Sequence, residues 1–208
     1  MDGVFMFHFI KKLLIFVLVL SLFLLGTLIA DKQYLNKDVL RLHVVANSDS
    51  QEDQSIKLRV KDALLDYFES NLSGITDAQA AKEFLSDHLA DVQEVANKTL
   101  STLGVTDNAK VSLTREKFGV REYDTFSLPS GMYESLRVEI GEAAGKNWWC
   151  VVFPALCSGA TGEDFKATAV SSGMSSGLSN TLVEEDGYEI RFFFLDWLGK
   201  IENLLSRN

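Results

Sequence analysis

Histidine is the side chain most often used for acid–base chemistry. Three occur, and His8 precedes a long apolar N-terminal run, leaving His43 and His88 for the domain that follows. His43 stands in VLRLHVVA, shortly before Ser48 and Asp49, so a base, a hydroxyl nucleophile and an orienting carboxylate are near one another in sequence. Nothing in their spacing demands that they assemble, and no G-x-S-x-G, H-E-x-x-H or P-loop accompanies them. A partly buried strand histidine is the simpler reading of His43. Asn47-Ser48-Asp49-Ser50 offers calcium-type oxygens without the glycine and distal glutamate of an EF-hand, and helix capping explains it more simply. No catalytic residue, metal site or cofactor is implied, and an exported hydrolase using His43 with nearby Ser or Asp is the competing reading.

The densest cluster of rare residues is Lys146 to Cys157, KNWWCVVFPALC, with both cysteines and two of the three tryptophans. Alternation places Trp148, Cys150 and Val152 on one face of a strand and Trp149, Val151 and Phe153 on the other, as a central strand buried on both sides requires. Tryptophan is also favoured at binding hot spots, so Trp148 and Trp149 are interface candidates, although adjacent strand residues cannot face the same way. Cys150 and Cys157, with Pro154 between them to favour a bend, either form a disulfide or remain two buried thiols. C-x6-C without nearby histidines is not a zinc site.

At the N-terminus, Leu13 to Ala30 carries no charge and as a helix would extend about 27 Å, close to a bilayer's hydrocarbon core. Lys11 and Lys12 precede it, so the positive-inside bias keeps the N-terminus in the cytoplasm and sends the rest across. Anchor and cleaved signal both stay open, because Leu28-Ile29-Ala30 supplies only one of the two small residues a signal peptidase reads. Residues 1–30 form this segment and 31–208 one extracytoplasmic domain. The formal charge of −9 opposes phosphate binding, which makes nucleic acid an unsuitable partner.

Within the domain, Val39 to Ala46 reads as a strand, and Asn47 to Ser50 ends it and caps a helix running to about Phe68. Thr76 with Gln79 is a capping-box signature for a second helical region ending at Gly104, with a kink or break allowed at Ser86-Asp87. Strands follow from Val111, over Met132 to Ile140, and over Asn147 to Phe153, the last two read as an antiparallel hairpin. Residues 158–187, rich in Ser, Gly and Thr, read as a long flexible loop without a core of its own. Tyr188 to Phe194 reads as a strand, followed by an amphipathic helix of Trp197, Leu198, Ile201, Leu204 and Leu205. The fold class is α+β, a mixed or antiparallel sheet covered by helices in the order β-α-α-β-β-β-β-α.

Two stretches, RLHVVANSDSQEDQSIKLRVKD at 41–62 and LPSGMYESLRVEIGEAAGKNWWCVVFPALC at 128–157, together with the N-terminal segment, resemble the stage II sporulation protein R family. The resemblance implies a signal and no enzyme. Such a protein is made in the forespore, exported into the intermembrane space, and activates a membrane-embedded sporulation aspartic protease, stage II sporulation protein GA, that processes the sigma-E precursor of the mother cell. The docking surface is then expected near Arg41, His43, Asn47, Ser48 and Asp49, beside Trp148 or Trp149.

Overall fold

The computed structural model describes residues 2–154, 162–183 and 190–206. Helix α1 (Asp2–Lys37) carries the apolar run and continues about two turns past it into the domain. Every side chain from Phe5 to Gly26 is exposed, whereas Leu35 is fully buried. In length and hydropathy α1 can cross a membrane, and apolar surface on all sides with no protein upon it is what a bilayer solvates.

All six residues of β1 (Leu40–Val45) are buried, which requires partners at both edges and cover on both faces. Strand β5 (Gly131–Ile140) pairs with it in parallel and β6 (Asn147–Phe153) antiparallel, while β2 (Ala109–Phe118) pairs antiparallel with β5. The sheet is mixed, in the order β2-β5-β1-β6. Two expectations are corrected here. Strands β5 and β6 do not form a hairpin, because β1 lies between them. The KNWWCVVFPALC run supplies an edge strand, buried only from Cys150 onward, and the continuously apolar β1 takes the interior place.

A parallel β1–β5 pair needs a long crossover, and the helices after β1 belong to it. Helix α2 (Gln51–Leu72) starts at Ser50, whose hydroxyl accepts from the Asp53 amide at 3.0 Å. Helix α3 (Ala78–Asp87) starts at Asp77, one residue after the expected cap, and α4 (Leu89–Thr102) follows a break at His88. Val60, Leu64, Leu85, Val92 and Leu100 of these helices pack on Leu42, Val44, Leu136 and Val138 of the sheet. Gly104 takes the positive φ of 74° that closes α4.

The other face is covered from both ends of the chain. The last turns of α1, α5 (Gly162–Ser171), α6 (Ser176–Val183) and α7 (Ile190–Leu205) lie over Tyr133 and Val151. The described part of 158–187 is therefore two helices and no coreless loop. Phe165, Ala169, Met174, Leu178 and Leu182 recur every four or five residues and are buried, the larger ones each contributing roughly 1.5–3 kcal/mol. Ile190 to Phe194 is the start of α7, which corrects the expected strand; an apolar run of this length fits either period until its packing decides. A two-residue ladder of β3 (Arg121–Glu122) and β4 (Ser127–Leu128) folds the chain after β2 back over this face.

Candidate docking cleft

Strand alternation sets Arg41 and His43 on the face of β1 opposite the α2–α4 core, and the register puts His43 beside Arg137 on β5 and Trp149 on β6. Glu116 and Phe118 come from the end of β2, and Arg121 from the ladder. Together they line a cleft of about 520 Å³.

His43 is held from two directions. Its Nδ1 lies 3.0 Å from Glu116 Oε2, and its ring stacks on Trp149 at 5.6 Å and meets the edge of Phe118 at 6.2 Å. Arg137 donates through Nη1 to Glu116 at 2.5 Å and through Nε to Glu139 at 2.9 Å. Burial by itself would raise the Glu116 pKa, but hydrogen bonds from His43 and Arg137 outweigh it and hold the carboxyl at about 2. The guanidinium of Arg121 lies 3.7 Å over the Trp149 ring, so one indole meets both an imidazole and a cation.

Arg41 lies beneath this cluster and is 0% exposed. Its guanidinium sits 4.0 Å from the Phe118 ring centre and 5.1 Å from that of Tyr133, and it donates to the Tyr123 hydroxyl at 2.5 Å. Its Nε and Nη1 have no hydrogen-bond partner, and burial lowers its pKa. Tyr133 donates to the Pro129 carbonyl at 2.6 Å, and its own pKa is raised by burial. These aromatic faces take the place of a counter-ion.

Among the seven residues expected to form a docking surface, the structure brings together His43 and Trp149. Arg41 supports them from inside. Trp148 is on the opposite face, half-buried against the α2–α4 core with the Lys61 ammonium 5.2 Å from its ring. Asn47, Ser48 and Asp49 tie the end of β1 to its surroundings. The Asn47 side-chain Oδ1 accepts from the Glu142 amide at 2.9 Å, Ser48 donates to Asp53 at 2.5 Å, and Asp49 accepts from the Lys146 amide at 2.6 Å. Ser48 and Asp49 therefore have other partners, and it is Glu116 that orients His43. Cys150 is 4% exposed and is not a free thiol; Cys157, its expected partner, lies outside the described residues.

Sequence reasoning missed Glu116, Arg121 and Arg137. A faint signal exists for two of them: Glu116 has the parity of Phe118 on β2, and Arg137 that of Tyr133 on β5, so charges stand where strands turn inward. Arg115, Lys117, Arg121 and Arg137 line the cleft with Glu116; Arg137 also pairs with Glu139 and Arg115 with Glu134 and Glu202, so Lys117 and Arg121 are the cations there that make no salt bridge among the described residues. His43 Nε2 and Arg121 Nε are buried there without hydrogen-bond partners. Such a site favours an incoming carboxylate. Among the described residues no three His, Cys, Asp or Glu side chains are grouped to hold a metal.

No solved structure matches the chain. Stage II sporulation protein R of Bacillus subtilis (strain 168) is 27% identical over 180 residues, covering 78% of this chain and 80% of the relative. The sequence profile described as Stage II sporulation protein R matches residues 36–162, from the end of α1 through the whole sheet and every residue that lines the cleft except Ser206. On that match the chain belongs to the stage II sporulation protein R family.

Proposed function

We propose that this protein is an exported signal of endospore formation. Made in the forespore, it crosses into the space between forespore and mother cell and activates the membrane-embedded aspartic protease, stage II sporulation protein GA, that processes the sigma-E precursor. The observation that carries this reading is the family match over residues 36–162. The exposed apolar α1 fits a protein delivered to a membrane surface.

The cleft is where the protease docks. An acidic side chain from its extracytoplasmic part pairs with the Arg121 guanidinium at the mouth of the cleft and packs beside Trp149. A charge-assisted pair in a half-buried aromatic cleft is the kind of contact that forms a binding hot spot. Docking activates only if the cleft prefers the active state of the protease, since equal affinity for both states shifts nothing. A preference of about 100-fold corresponds to about 2.7 kcal/mol.

The test is reconstitution of the full chain with the protease and its precursor substrate in vesicles. Cleavage should depend on the added chain and fall at least ~10-fold with Arg121→Glu. Cleavage that proceeds equally without the chain would overturn the proposal. Ser48→Ala separates the competing hydrolase reading, because docking leaves cleavage unchanged whereas a Ser-His mechanism loses it.

A further inference from the structure

Helix α7 has two apolar faces. Phe192, Leu195 and Gly199 are turned into the domain and buried. Opposite them, at helical spacing, Ile190, Phe193, Phe194, Trp197, Leu204 and Leu205 are 42–83% exposed. The outer face of a helix covering a water-soluble domain is ordinarily polar, so this stripe calls for something to cover it.

The position of α7 identifies the cover. Its hydrogen bonds to the sheet fall at one end. Asp196 accepts from the Ser130 amide at 3.0 Å, Glu202 from the Met132 amide at 3.3 Å, and Asn203 donates to the Phe118 carbonyl at 2.9 Å. These are the start of β5 and the end of β2, the same end at which α1 delivers the chain into the parallel strand β1. At this level α7 meets α1: Arg191 pairs with Asp31, and Glu202 with Lys32 at 3.1 Å and with Asn36 at 2.9 Å. Arg191 and Glu202 stand about 16 Å apart along α7, while their partners occupy about 7.5 Å of α1. Helix α7 therefore runs across α1. Asp31 is the first charged residue after the apolar run, so the crossing lies where α1 leaves the hydrocarbon.

We infer that α7 is an interfacial helix, lying on the leaflet from which α1 emerges, with Phe193, Phe194 and Trp197 in the boundary between headgroups and acyl chains. A helix that crosses a membrane-spanning helix at its point of exit lies near the bilayer plane, and its face away from the sheet is the face toward the lipid. Aromatic side chains suit this depth. The two contacts, α1 through the bilayer and α7 along it, fix the tilt of the domain and hold the cleft at a set height above the lipid. This inference rests on the reading of α1 as membrane-spanning.

Trp197 reports on it directly. Trp148 and Trp149 stand at the opposite end of the sheet, paired with Val44 and His43 near the end of β1, and serve as an internal control. The full chain is placed in vesicles of phosphatidylethanolamine and phosphatidylglycerol, with and without bromine on the acyl chains, and both flotation and tryptophan emission are read. The chain should float, and brominated lipid should lower the wild-type emission while leaving that of Trp197→Phe unchanged. A chain that floats with equal quenching in both proteins, or with none, overturns the placement of α7 and leaves the α1 reading standing; that is also the outcome if a protein partner covers the stripe. A chain that fails to float overturns both.

Discussion

Arg41 and Leu42 are neighbours in β1, each 0% exposed, yet they enter different interiors. Leu42 joins an apolar core closed by α2–α4, helices that follow β1 directly in the chain. Arg41 enters a layer closed by α1 from one terminus and α5–α7 from the other, and that layer holds Arg41, His43, Glu116 and Arg137. An apolar core suffices to stabilise a fold, whereas buried charge is weak evidence for stability and needs another reason to be there. Under the proposed docking reading, folding falls mainly to one face of the sheet and recognition to the other.

Four substitutions probe that division. Leu42→Ala leaves a cavity in the apolar core and should cost about 3 kcal/mol by denaturant unfolding, while Arg41→Met, of similar length and uncharged, should stay within about 1 kcal/mol of wild type. Equal losses for the two would erase the distinction. Glu116→Gln should cost about 3 kcal/mol at neutral pH. The folded-state pKa of Glu116 is depressed from the ordinary 4.5 to about 2, so its contribution is complete above 4.5 and disappears as pH falls toward 2. Wild type and variant should therefore converge in stability over that interval; a gap that stays constant down to pH 2 contradicts the pairing of Glu116 with His43 and Arg137. Ser50→Ala removes the α2 cap and should lower stability by about 1 kcal/mol, with no effect on precursor cleavage because it lies on the folding side.

What could be read in the sequence follows the same division. Strand β1, the start of α2 at Ser50 and the interruption near His88 are legible because local periodicity and capping chemistry specify them. The place of β1 between β5 and β6 is not, since strand neighbours are chosen by burial across the whole chain. Helices α5 and α6 were hidden by their Ser, Gly and Thr content, which masks the spacing of Phe165, Leu178 and Leu182. Within the cleft, His43 and Trp149 stood out by residue type. Glu116 did not, being 73 residues from His43 and one carboxylate among 29 acidic residues. The stripe of α7 shows the converse case: Trp197, Leu204 and Leu205 read as an amphipathic helix, but only the fold reveals that this face points outward.

The most direct test of the central claim is the initial rate of precursor cleavage by the vesicle-embedded protease with Trp149→Ala in place of the wild-type chain. Trp149 is half-buried between His43 and Arg121 at the edge of the sheet, so its loss should spare the apolar core. The rate should fall at least ~10-fold, with unfolding stability lowered far less than by Leu42→Ala. A folded Trp149→Ala chain that activates cleavage at the wild-type rate would contradict that claim.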